Sequence, residues 1–388
     1  MEQYMQLFQG TAFSSTSAKE VQILKDYLFA INAEGVIKKV IAPEDAEYQP
    51  LLEAYQGKSN FRRLAEGQYL LPGFIDLHVH APQWAQSGTA LDIPLYDWLN
   101  TYTFPLESKF ADLDFAEKVY EDLVSTLLAN GTTTVLYFAT VHKEASLLLA
   151  ELCVKKGQRG LVGKVVMDDP AQNPEYYRDA DTHSALADTE DFILAVRELA
   201  KTAKQGVYPV VTPRFIPSCT DEALRGLGKL ADKYDAYVQS HCSESDWAHG
   251  YVRDRLDKND AFALRDFGLL REKSVMAHCN FLDEPDADLF AETGTAIAHC
   301  PISNAYFANS VIPVAHFHGK GIDIGLGTDI SGGFSPSLFD NIRQAVISSR
   351  MLEDGVDLPS PHISAVFRSR GLRSMKRSTW RQPEAVRV

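Results

Sequence analysis

Long hydrophobic runs are missing from this chain. No stretch approaches the ~18 consecutive apolar residues that a membrane-spanning helix needs, and no charged-then-apolar leader opens it. Both absences set the expectation of a soluble, cytosolic protein with no membrane partner. Basic residues are also short: 38 Lys and Arg against 52 Asp and Glu give a net charge of −14, which argues against a nucleic-acid surface. Cysteine is sparse. Cys153, Cys219, Cys242, Cys279 and Cys300 show no CxxC spacing and read as reduced thiols, not a disulfide framework. What the chain does have is size: 388 residues at 45% hydrophobic content can bury a large core.

The most informative stretch is Pro72-Gly73-Phe74-Ile75-Asp76-Leu77-His78-Val79-His80. Phe74 to Val79 reads as a buried strand opened by a Pro-Gly turn. Side chains two apart on a strand leave the same face, so His78 and His80 point together. Two converging imidazoles make half of a metal site.

Before this point, residues 1–71 read as short strands and turns forming part of a small β domain. Tyr27–Ile31 and Val36–Ile41, joined at Glu34-Gly35, suggest a hairpin. Too small to be stable alone, this segment is expected to pack on something else. After Gly73, short β runs alternate with helical stretches, the pattern of parallel strands joined by crossover helices. Eight strands are predicted: Phe74–Val79, Thr132–Phe138, Leu161–Met167, Val207–Thr212, Ala236–Ser240, Ser274–Ala277, Thr295–Ala298 and Asp323–Gly327. Eight such units over 72–352 predict an α/β fold, a (β/α)8 barrel, whose chemistry belongs at the C-terminal strand ends. The unusual residues gather there. His78 and His80 end the first strand, and Pro213-Arg214-Phe215 end the fourth. His241-Cys242-Ser243-Glu244 end the fifth, His278 the sixth, His299-Cys300-Pro301 the seventh and Thr328-Asp329 the eighth.

Four of these groups suit one Zn²⁺: His78, His80, His241 and Asp329, leaving room for a water. The ion would bring that water's pKa to about 7. Glu244, three residues past His241, is placed to shuttle its proton, and His278 to polarise or hydrogen-bond the hydroxide. His299, in His299-Cys300-Pro301-Ile302-Ser303-Asn304, is read as a brace for the site, with no chemical role assigned.

The same motifs, with His299-Cys-Pro-x-Ser-Asn and Gly327-Thr328-Asp329, resemble the amidohydrolase superfamily, in its mononuclear aminohydrolase branch. Ala81-Pro82-Gln83-Trp84, Leu95-Tyr96-Asp97-Trp98-Leu99, Thr103-Phe104-Pro105, Thr212-Pro213-Arg214-Phe215 and the run Gly325 to Gly333 are similar to the members that deaminate guanine. Dinuclear members bridge their metals with a carboxylated lysine at the end of the fourth strand. Arg214 stands there instead, so one zinc per subunit is implied, and Lys164 is a weak substitute. The small zinc deaminases with Pro-Cys-x-x-Cys are excluded, because that motif is absent. The resemblance implies guanine and water as reactants, xanthine and ammonia as products, and a homodimer. Gln83 and Arg214 would hydrogen-bond the purine edge, and Phe215 would stack on the ring. Glu244 would protonate the ring nitrogen beside C2, and Asp329 would take the second proton. The alternatives are an aminohydrolase of another heterocycle, or an inactive scaffold.

After about Arg350 the chain departs from that pattern. Residues 353–388 read as a divergent, basic, disordered tail, with none of the strands that would complete the small domain. That sets the expectation of low stability and weak activity.

Overall fold

The computed structural model describes residues 4–17 and 20–354. The expectation concerning residues 353–388 therefore falls almost wholly outside the described residues. The chain divides into two compact units at Gly73/Phe74.

The first unit is a five-stranded sheet. Strands β1 (Gln6–Ser17), β2 (Glu20–Ile31), β3 (Ile37–Ile41) and β4 (Phe61–Arg63) lie in the order β3-β2-β1-β4, and β5 (Tyr69–Leu70) also pairs with β1. The expected hairpin is present: β2 and β3 run antiparallel, with Leu28 opposite Ile41. Its turn has a local cause. The Asn32 side chain accepts the N–H groups of Glu34 (3.1 Å) and Val36 (2.9 Å), and Gly35 sits at φ +81°, where a side chain is disfavoured. The sequence reading of short strands underestimates β1 and β2, which are 12 residues each, and omits the helix Tyr48–Tyr55. That helix places Tyr48, Leu51, Leu52 and Tyr55 in a buried cluster with Leu7, Leu28 and Ile41. Around the hairpin, Val36, Ile37 and Val40 are exposed, whereas Leu28 and Phe29 are buried.

The second unit is an eight-stranded parallel barrel. Its strands are β6 (Phe74–His80), β7 (Thr132–Phe138), β8 (Arg159–Gly163) with the short extension β9 (Val165–Val166), β10 (Val207–Pro213), β11 (Tyr237–Cys242), β12 (Ser274–His278), β13 (Ala296–His299) and β14 (Ile324–Leu326). They pair in chain order from β6 to β14, with β9 beside β10. The expected third strand is interrupted at Lys164, whose ammonium turns to the buried carboxylate of Asp179 at 2.6 Å. Leu77, Leu136, Leu161, Val210, Val275, Ala277 and Ala298 form one buried cluster supplied by six of the strands. A second cluster joins strand residues such as Val79, Val135 and Val162 to Leu123, Leu127, Leu149 and Phe192 of the helices. The helix Leu113–Ala129 begins where Asp112 accepts the N–H groups of Asp114 and Phe115.

Closure between first and last strands is made by one buried carboxylate. Asp76 Oδ1 accepts the N–H of Thr328 (2.9 Å), and its Oδ2 accepts the Thr328 hydroxyl (2.6 Å). Main-chain bonds continue the seam: Asp329 N–H donates to the His78 carbonyl (2.8 Å) and His80 N–H to that of Ile330 (2.7 Å). Gly327 permits this approach, since a Cβ there would lie 2.7 Å from the His78 Cβ. Burial lifts Asp76 to about 7, against the pull of the Thr328 bonds.

Candidate active site

The seam brings Asp329 against the two histidines of β6. The β11 end adds His241 and the β12 end His278. All five side chains are buried. The ligand nitrogens of His78, His80 and His241 lie within 4.8 Å of one another; so do the ligand atoms of His78, His278, Cys300 and Asp329, and those of His241, Glu244 and His278. His78 Nε2 stands 3.2 Å from Asp329 Oδ1, and His80 Nε2 is 3.7 Å from the same oxygen.

Hydrogen bonds behind the rings set their tautomers. His241 Nδ1 is 2.5 Å from the Arg214 carbonyl, which can only accept, so Nδ1 carries the proton and Nε2 a lone pair. His278 Nδ1 donates to Asn304 Oδ1 at 2.9 Å, with the same result at its Nε2. That atom, like His78 Nε2, is buried with no hydrogen-bond partner. The facing Nε2 atoms of His80 and His241 are only 2.9 Å apart. Burial first, then the neighbouring imidazoles, hold His78, His80 and His241 well below the usual imidazole range. Neutral rings with orphaned lone pairs, converging beside a carboxylate, fit a divalent cation of the nitrogen-preferring kind.

Backbone strain is concentrated here. Ser243, His278, Cys279 and Asp329 all adopt left-handed φ values between 48° and 70°. Each costs of order 1 kcal/mol or more, and all four lie at or just past the ends of β11, β12 and β14, where the turn at His278 and Asp329 leaves their side chains in the histidine cluster.

The remaining predicted residues line the same cleft, which is bounded by His80, Gln83, Arg214, Phe215, His241, Glu244 and Asp329 together with Trp98 and Phe307. Gln83 lies in the 3₁₀ turn Ala81–Gln86 that follows β6. Glu244 precedes Ser245, the N-cap of the helix Asp246–Leu256, and its carbonyl accepts from Asn280 Nδ2 at 2.8 Å. Its carboxylate is 3.4 Å from His278 Nε2. Burial, then the Asp329 charge, push Glu244 up to about 8, while Arg214 pulls the other way. Arg214 is buried, not a surface residue, and its fork binds Glu107 at 2.7 and 3.2 Å. Phe215 is buried at the cleft wall, 6.1 Å from the His241 ring. His299 is buried with its Nδ1 unpartnered, and burial holds it down at about 3. Lys164 stays with Asp179, outside the histidine cluster.

Two contributors escape the sequence reading. Phe138, the last residue of β7, lies 4.7–4.9 Å from the rings of His78, His80 and His241 and keeps water from that side. Its position at a strand's C-terminal end was the available signal. Glu107 sits in a short helical turn, Phe104–Glu107, and nothing in its local sequence marks it.

Known proteins agree with this architecture. The model of the amidohydrolase family matches residues 69–364. Guanine deaminase of Rattus norvegicus is 39% identical over 374 residues, which cover 93% of this chain and 79% of that protein. Guanine deaminase of Homo sapiens is 38% identical over 366 residues, with the same coverages of 93% and 79%. The crystal structure of guanine deaminase from C. acetobutylicum with guanine bound in its active site shares 34% identity at a TM-score of 0.80, over 89% of this chain and 79% of that one. A match over most of the length, at identities well above 30% to several relatives, shows that the chain belongs to the amidohydrolase family and groups there with the guanine deaminases.

Proposed function

We infer that the chain hydrolyses guanine to xanthine and ammonia, with one zinc ion held by His78, His80, His241 and Asp329. The observation that carries this is a single buried cleft in which that donor set, Glu244 and the flat-ring elements Gln83, Arg214 and Phe215 meet. Three imidazoles and a carboxylate suit zinc, whereas magnesium and calcium prefer all-oxygen sites. When bound, the ion supplies acidity to a water, bringing its pKa to about 7.

Everything else falls to the chain's own groups. Glu244 accepts the water's proton and delivers it to the ring nitrogen beside C2 as oxygen bonds to that carbon. His278, its Nδ1 committed to Asn304, keeps Nε2 facing Glu244 and Asp329 and orients the attacking oxygen. Asp329 takes the second proton, which passes to the amino group; the C2–N bond breaks, ammonia leaves, and the 2-oxo product remains. Gln83 and Arg214 hold the purine edge, and Phe215 covers a ring face. A homodimer belongs to the same reading and rests on the family resemblance.

The test is ammonia release by the zinc-loaded protein across guanine, cytosine, adenine nucleosides and triazines. Turnover confined to guanine is expected. Preference for any other heterocycle would replace the substrate while leaving the hydrolytic site.

A further inference from the structure

Glu107 is fully buried and gives both oxygens to the recognition end of the cleft. Oε2 accepts from Arg214 Nη1 at 2.7 Å. Oε1 accepts from Arg214 Nη2 at 3.2 Å and from Gln83 Nε2 at 2.9 Å. The guanidinium also lies over the Phe104 ring, 5.0 Å from its centre. The Gln83 amide is pinned from its other side, where Oε1 accepts the Ser331 N–H at 3.3 Å. One carboxylate thus sets the position of two groups assigned to the purine edge. It also cancels the only guanidinium that lines the cleft among the described residues. The neighbouring buried cation, Lys164, is cancelled by Asp179 in the same way.

We propose that Glu107 is a positioning residue that holds the Arg214 and Gln83 donors in place and makes this end of the cleft electrically neutral, so that the site selects uncharged oxo-heterocycles over their ring-deprotonated monoanions. The proposal rests on the deaminase reading and adds the charge class of the ligand. Its physical basis is that a buried, unpaired guanidinium would draw an anion strongly in a low-dielectric cleft, whereas a bidentate ion pair offers N–H donors without net charge.

The experiment is equilibrium dialysis of the zinc-loaded enzyme at neutral pH with hypoxanthine, which is uncharged, and urate, a monoanion. Wild type should bind hypoxanthine at least tenfold more tightly. Glu107→Gln, nearly isosteric, should move the ratio of dissociation constants tenfold or more towards urate. Glu107→Asp keeps the charge, so its ratio should stay at the wild-type value while the KM for guanine rises more than kcat falls. Glu107→Gln combined with Arg214→Met removes both charges and should restore the wild-type ratio to within threefold, a measurement that stands even where the single Gln variant does not fold. A wild type that prefers urate, or a Glu107→Gln ratio that does not move, overturns the proposal. So does a double variant that follows the single one. Guanine turnover by wild type is assayed separately; its absence would remove the deaminase reading without touching these binding ratios.

Discussion

Replacing Glu244 by glutamine keeps the side chain's size and removes its ability to carry a proton. Proton transfer by a positioned acid–base group is typically worth 10²–10⁴-fold, or about 2.7–5.5 kcal/mol at 1.36 kcal/mol per decade. The same change acts on stability with the opposite sign. In the metal-free protein the Glu244 carboxyl is held at about 8 against an ordinary 4.5, chiefly by burial. The folded chain therefore retains a proton that the unfolded chain releases above 4.5. Stability from this group is fully present below that pH and is lost as the pH climbs towards 8. At pH 7 the loss amounts to roughly 3 kcal/mol, and at pH 5 to under about 1 kcal/mol. An amide escapes it. Chelator-treated Glu244→Gln should thus melt several degrees above chelator-treated wild type at pH 7, with the gap closing by pH 5. Zinc-loaded Glu244→Gln should keep its metal and turn guanine over 10²–10⁴ times more slowly. Turnover within a few-fold of wild type would remove Glu244 from the proton path. Equal melting curves at pH 7 would show that its carboxyl is not desolvated.

Other substitutions probe the remaining parts. His78→Ala should lose both metal and activity, with elemental analysis of wild type giving one zinc per chain; two per chain would overturn the mononuclear site. Arg214→Ala should keep zinc but weaken kcat/KM for guanine by about 1.5–3 kcal/mol, and more if the abandoned Glu107 repels the ring, so unchanged kinetics would place the substrate elsewhere. Asp76→Ala strips an acceptor from the Thr328 N–H and hydroxyl. It should cost at least ~2 kcal/mol in urea unfolding, and a smaller loss would mean that the seam holds without it. Gly327→Ala drives a Cβ to 2.7 Å from that of His78, so a lower melting temperature by the equivalent of about 1–3 kcal/mol and weaker zinc retention are expected.

The barrel was legible because its strands announce themselves. Thr132–Phe138 is a run of β-branched and aromatic residues broken only by Leu136, and its observed bounds match the expected ones residue for residue. Boundaries slipped where a site residue extends a strand: His241 and Cys242 belong to β11, and His278 to β12, because their main chains still pair with the neighbouring strand; the backbone turns left-handed at Ser243 after β11 and at His278 itself, the last residue of β12. The site histidines could be found because a barrel displays strand ends in one place. Glu107 could not, because its importance lies in three long-range contacts and no local pattern encodes a partner 107 residues away. The helix Tyr48–Tyr55 was lost for a related reason. Its eight residues start on no side-chain cap and contain a proline, so only the sheet beneath explains it.

The bond from Asp76 to Thr328 spans 252 residues, and the same junction delivers Asp329 to His78 and His80. A growing chain exposes His78 and His80 early and must wait for the eighth strand before Asp329, the proposed acidic donor, arrives. With the proposed ligand set, metal retention becomes a report on completion: a polypeptide arrested or clipped before Asp329 carries the histidines without the carboxylate. In a mixed preparation, the fraction of chains that hold the ion through extensive dialysis counts the finished barrels, as an assembly inspector would, before any substrate is added.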